Sequence, residues 1–233
     1  MVKAVFLDLY NTVAGFFPPR EQIQMTACKD FGIEVTPGGI LKGYVDADEF
    51  MTQQNTRRHI QKLSQDEIKA FFTEYERLIL KGAGVVVPGE TAWKVWERVR
   101  QIPYDLALYD DSIPALKELK RRRLVLGLIS NIYRDVNSLC VKLGIAPYLD
   151  FVMTSHEAGS EKPHAPIFLA ALAKAKVKPS EAIHVGDQYN ADVIGARGVG
   201  IKPVLIDREG LFTNYTDVPK VRTLLELPAL LDR

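Results

Sequence analysis

The hydrophobic pattern along the chain changes character twice. Residues 3–12 read Lys-Ala-Val-Phe-Leu-Asp-Leu-Tyr-Asn-Thr, an apolar run of strand length that breaks abruptly at Asp8, with Thr12 four residues on in a turn-forming stretch. After an expected loop over Ala14 to Arg20, helical periodicity takes over and holds to about residue 102, and no strand is expected within it. Ser64 and Glu67 have the spacing of a capping box, ahead of a helix that carries Ile68, Phe71, Phe72, Tyr75, Leu78 and Ile79 toward Gly82. Pro88 and Gly89 open another helix through Trp93, Trp96 and Val99 that ends before Pro103, and both tryptophans are expected to fill a helix bundle.

From Asp110 onward, helix and strand alternate. Asp111 starts a helix through Leu116 and Leu119, residues 124–129 form a strand, and Val136, Leu139, Cys140 and Leu143 form a helical stripe closed by Gly144. A short strand at 151–153, a helix over 167–175 and strands at 182–185 and 203–206, separated by a helix around 192–196, complete the series. Such alternation predicts a parallel sheet with crossover helices, and the first strand must join it because a lone strand leaves its edges unsatisfied. The expected fold class is therefore α/β: a Rossmann-like parallel-sheet core from 1–16 and 106–233, interrupted by an α-helical insert at 17–105. No repeat or low-complexity segment is present.

Composition narrows the partners. A chain that is 47% hydrophobic and 25% charged is an ordinary globular sequence, and a net charge of +1 provides no field favouring nucleic acid or an anionic membrane, so neither is expected as a partner. The tight basic run Arg121, Arg122 and Arg123 reads as a solvated helix end. Cys28 and Cys140 lack CxxC or metal-finger spacing and read as core residues, which suits a reducing cytoplasm. With no signal-peptide pattern and no apolar run of membrane-spanning length, a soluble cytoplasmic protein is expected. Nothing in the sequence indicates an oligomeric state.

Taken alone, Asp8 reads either as a strand-ending turn cap or as a nucleophile at the crevice where open α/β sheets bind ligands. It is not alone: parallel strands would bring Asp8 and Thr12, Ser130 and Asn131, Lys162, and Asp187 with Asp192 to one rim. Read in order, the segments Asp-Leu-Tyr-Asn-Thr, Ile-Ser-Asn, Glu-Lys-Pro-His and Gly-Asp-Gln-Tyr-Asn-Ala-Asp resemble the four motifs of the haloacid dehalogenase superfamily over essentially the whole chain. An insert directly after the first motif resembles that superfamily's helical cap of the first class.

The resemblance implies that Asp8 attacks to form a covalent aspartyl intermediate, that Thr12 and Ser130 hydrogen-bond the transferring group, and that Lys162 balances negative charge. It also implies Mg²⁺, with Asp8, the main-chain carbonyl of Tyr10 and Asp187 as ligands and Asp192 as an outer or additional one. The electrostatics agree: two carboxylates about 4 Å apart repel by roughly 4 kcal/mol at an effective dielectric of 20, so a carboxylate cluster needs a cation before an anionic substrate can bind. Asn131, Arg57 and Arg58 are the candidate substrate contacts, guanidinium being suited to bidentate anion binding, although either arginine also reads as a solvated helix residue. His156, His164 and His184 lack metal-ligand spacing; His184 reads as a strand residue and His164 lies near the rim.

The motifs disagree on chemistry. Gly186 and Asp187 match the superfamily's phosphatases, whereas Tyr10 stands where those phosphatases usually carry a second aspartate and dehalogenases often carry tyrosine. A phenol can donate a proton at neutral pH but is a poor base for activating water. The expected activity is a Mg²⁺-dependent hydrolase acting on a small phosphate ester, with metal-independent 2-haloacid cleavage and a non-catalytic binding protein as alternatives.

Overall fold

Strand β1 (Ala4–Leu7) is buried at every residue, as a continuous apolar run requires when helices cover both faces of a sheet. The computed structural model describes residues 1–131 and 135–231 and divides into two units, Met1–Gly15 with Leu106–Arg233, and Phe16–Asp105. Along the chain, β1 is followed by β2 (Ala14–Phe17), α1 (Arg20–Lys29), α2 (Pro37–Arg57), α3 (Gln65–Gly82), α4 (Gly89–Val99) and β3 (Asp105–Leu108). Next come α5 (Ser112–Arg121), β4 (Val125–Ser130), α6 (Val136–Lys142), β5 (Phe151–Thr154), α7 (Ser155–Ala158), α8 (Ala165–Ala175) and β6 (Ala182–Gly186). A π-helical turn (Tyr189–Ile194), α9 (Gly195–Gly198), β7 (Lys202–Ile206), β8 (Lys220–Val221) and α10 (Leu227–Leu231) complete the chain.

The α/β unit is built on a six-stranded parallel sheet in the order β5-β4-β1-β6-β7-β8, with surrounding helices in a Rossmann-like arrangement. Alternation along each strand divides the core into two layers. Val5 and Leu7 join an apolar cluster with Leu116 and Leu119 of α5 and Val136 and Cys140 of α6. Ala4 and Phe6 face the other way, into a cluster with Phe168, Ala171 and Leu172 of α8. Because β1 lies between β4 and β6, the loops after these three strands open side by side.

In the helical unit, α3 begins with the expected capping box: the Ser64 hydroxyl accepts from the Glu67 N–H while the Glu67 carboxylate accepts from the Ser64 N–H. Ile40, Tyr44 and Ala47 of α2 pack against Phe71, Tyr75 and Ile79 of α3, and Ala27, Cys28, Leu80 and Val95 form a second cluster. At the α2–α3 crossing the backbones meet so closely that a Cβ on Gly43 would run into the Ile79 main chain. Trp96 stacks on Phe72 with ring centroids 4.2 Å apart, whereas Trp93 is half-buried with the Lys69 ammonium 5.5 Å from its ring centre. Trp96, half-buried as well, packs against the α2–α3 cluster as expected.

The expected loop at 14–20 is instead strand β2, which pairs with β3, and the sequence reading placed no strand at β3 or β8. Both cysteines are free and buried. Among the described residues, no helix is long and apolar enough to cross a membrane.

Candidate active site

Asp8 is the first residue beyond β1, the central strand of the three that open the site, and its N–H donates to the Val185 carbonyl at 2.9 Å. That bond continues the β1–β6 ladder one residue past Leu7, so the residues after β6 stand beside Asp8. The chain then turns tightly: the Val13 and Ala14 N–H groups both donate to the Leu9 carbonyl at 2.9 Å, and Asn11 takes a left-handed φ of 53°. Asparagine tolerates that conformation better than most residues. Its side chain reaches the next strand end, with Nδ2 donating to Asp187 Oδ2 at 3.0 Å.

Lys162 is 4% exposed, yet its ammonium has two carboxylate partners. Nζ donates to Asp8 Oδ1 at 2.5 Å and to Asp192 Oδ1 at 2.6 Å. Burial works to lower the ammonium's pKa, but the Asp192 and Asp8 carboxylates outweigh it and hold Lys162 charged. Burial likewise pushes Asp8 up, to about 6, against the pull of Lys162. Asp192 moves the other way: burial would raise it, but Lys162 and His184 hold its carboxyl below the usual range.

Both oxygens of Asp192 are committed, Oδ1 to Lys162 and to His184 Nε2 at 2.9 Å, and Oδ2 to the Gln188 N–H at 3.0 Å. The π-helical turn carries this carboxylate across the end of β6, where a Cβ on Gly186 would run into Asp192 Cγ. Asp192 thus shares the Lys162 ammonium with Asp8.

Asn131 Nδ2 donates to the Lys162 carbonyl at 2.9 Å and its Oδ1 accepts from the Lys162 N–H at 2.7 Å, so it holds the lysine backbone in place. Ser130 and Thr12 are buried, and the Thr12 hydroxyl has no partner among the described residues. Tyr10 is half-buried and packs against the apolar cluster that contains Leu9 and Val13. His164 is exposed, and His184 is fully buried in β6.

Arg57 and Arg58 lie in the helical unit. Arg57 is exposed in the last turn of α2, and Arg58 already donates to Glu67 Oε1 at 2.7 Å and to the Lys62 carbonyl at 2.5 Å. Any substrate contact by Arg58 competes with that engagement.

A supporting clamp was absent from the sequence reading. Arg208, just past β7, donates to the Thr12 carbonyl at 2.6 Å and to the Asn11 carbonyl at 3.2 Å, and pairs with both oxygens of Asp111 at 3.0 and 3.1 Å. It thereby braces the loop that carries the first motif.

Asp8, Asp187 and the Tyr10 carbonyl offer only oxygen donors, which suits a hard cation such as Mg²⁺. Among the described residues, no three His, Cys, Asp or Glu side chains gather into a group that could hold a metal.

A model of the haloacid dehalogenase-like hydrolases matches residues 2–200. The chain belongs to that family. This hydrolase is 35% identical over 215 residues to a ribulose-1,5-bisphosphate 5-phosphatase of Halopiger xanaduensis, covering 89% of this chain and 85% of the relative. It is 28% identical over 215 residues to a glyceraldehyde 3-phosphate phosphatase of Methanothermobacter thermautotrophicus, covering 90% and 87%. Among solved structures, a HAD phosphatase from Thermococcus onnurineus superposes with a TM-score of 0.57 at 25% identity, covering 99% of this chain and 98% of the other. The protein is an enzyme, and its relatives favour a phosphatase over a dehalogenase.

Proposed function

We propose that this hydrolase is a Mg²⁺-dependent phosphatase acting on a small phosphorylated metabolite through an aspartyl-phosphate on Asp8. The observation that supports this most is the buried ammonium of Lys162 bonded to Asp8, one strand end from an Asp187 tethered by Asn11. Two relatives named for removing phosphate from sugar phosphates point to a phosphorylated sugar or a related small carbonyl compound as substrate.

In the first step a carboxylate oxygen of Asp8 bonds to phosphorus as the bond to the leaving oxygen breaks, and the leaving group takes up a proton. In the second step water attacks the same phosphorus, which releases inorganic phosphate and regenerates the carboxylate. Lys162 fixes Asp8 Oδ1 and offsets charge, while the Ser130 and Thr12 hydroxyls hydrogen-bond the phosphoryl oxygens. Asp8, Asp187 and the Tyr10 carbonyl would hold Mg²⁺, which supplies positive charge against the substrate phosphate when bound. Asp192 positions Lys162.

Tyr10 limits this chemistry. As a proton donor it serves a poor leaving group weakly, and as a base it barely activates water. Aryl and acyl phosphates should therefore turn over faster than alkyl phosphates, and Tyr10→Asp should raise alkyl phosphate turnover by about 10²-fold. Steady-state rates of the two proteins on both substrate types, each with Mg²⁺ and with chelator, provide the check. An unchanged rate in Tyr10→Asp counts against the role given to Tyr10. The tyrosine also favours a second reading, 2-haloacid cleavage, and halide release that persists in chelator would establish it.

A further inference from the structure

His184 is an anomaly in its strand. It lies in β6 directly opposite Phe6 of β1, fully buried, in a segment that otherwise reads Ala-Ile-Val-Gly. A polar ring in such a place is costly unless a specific partner compensates. The partner is Asp192, whose Oδ1 lies 2.9 Å from Nε2. The Phe168 ring meets the imidazole edge-on at 5.2 Å and restricts its rotation. Nδ1 is buried with no partner among the described residues. The Asp192 carboxylate can only accept, so Nε2 carries the proton of the neutral ring.

We infer that His184 is a positioning residue of this hydrolase, its Nε2–H fixing the carboxylate of Asp192 and through it the Lys162 ammonium that holds Asp8. The inference rests on the phosphatase reading for its effect on rate, although the hydrogen bond itself does not. Asp192 Oδ1 receives two donors and Oδ2 receives one, so the carboxylate is fixed at both oxygens. Removing the imidazole donor leaves Lys162 alone on Oδ1 and the Gln188 N–H alone on Oδ2, so the carboxylate loses one of its three restraints and holds the ammonium less firmly. Burial keeps the ring neutral against the opposing pull of Asp192, so it contributes a dipole and a direction rather than a charge.

Two substitutions separate direction from packing. His184→Leu keeps the volume and removes the donor, whereas His184→Gln restores an N–H at similar reach. With p-nitrophenyl phosphate and Mg²⁺, His184→Leu should lose about 10- to 100-fold in kcat with KM within about twofold, and His184→Gln should recover to within about threefold of the parent. A Leu variant with the parent kcat, or Gln and Leu variants that fall equally, overturns the inference. Ring ¹⁵N spectra of the full parent chain need no turnover and should show His184 with the proton on Nε2. A proton on Nδ1 overturns the inference whatever the kinetics. If the parent hydrolyses no phosphate ester, the phosphatase reading fails, and the tautomer still decides the His184–Asp192 link.

Discussion

Asp8→Asn is expected to lower phosphate ester hydrolysis by about 10⁴-fold while leaving the protein folded. The amide has the same shape as the carboxylate but is not a nucleophile, so the step that forms the aspartyl-phosphate disappears rather than slows. Folding is spared because the exchange also removes a costly buried charge. Asp8 is only 7% exposed, and burial already pushes its carboxyl up to about 6. Lys162 keeps its ion pair with Asp192 at 2.6 Å, so the ammonium is not left without a counter-charge. Values of kcat/KM with Mg²⁺, set beside thermal melts of both proteins, test this. An Asn variant within tenfold of the parent shows that the nucleophile is elsewhere.

The second large effect concerns stability in the helical unit. Glu76 of α3 is fully buried; its Oε1 accepts from Gln24 Nε2, and Oε2 has no partner among the described residues. Burial pushes this carboxyl up to about 8 from 4.5, with the Gln24 bond only partly opposing. Between those values the folded protein holds a proton that the unfolded chain has released. The contribution of Glu76 to stability therefore falls as pH rises from about 4.5 to about 8 and levels off above.

Glu76→Gln removes the titrating group and should flatten the profile, so that the variant's advantage over the parent grows with pH. The chain's two tryptophans, Trp93 and Trp96, both lie in this unit, so urea unfolding followed by fluorescence at a series of pH values reports on it directly. Profiles that run parallel contradict the assignment of the buried proton to Glu76.

What the sequence disclosed follows from what periodicity can carry. Strands β1, β4, β6 and β7 are apolar because helices cover both sides, and such runs are visible in a single chain. Strand β3 alternates exposed and half-buried residues over Asp105–Leu108, and β8 has two residues, so neither leaves a continuous run. The helix around Asp192 was legible, but its π-helical winding was not, although that winding sets where the carboxylate lands.

Within the site, Asp8 and Lys162 were found because strand ends and motif order both point to them. The bonds of Asn131 to the Lys162 backbone were not legible, because side-chain bonds to a backbone 31 residues away leave no pattern in sequence. Arg208 was missed for the same reason, since the carbonyls it grips lie 196 and 197 residues earlier in the chain.

The central claim is that this hydrolase cleaves phosphate esters at phosphorus rather than carbon–halogen bonds through an aspartyl ester, and the fate of water oxygen tests it most directly. Turnover in H₂¹⁸O with a phosphate ester and Mg²⁺ should place the label in released phosphate, with none in the peptide that contains Asp8, because water attacks phosphorus. Label in the Asp8 carboxylate, obtained with a 2-haloacid in the presence of chelator, would mean that water attacks an aspartyl ester at carbon, and would contradict the phosphatase account.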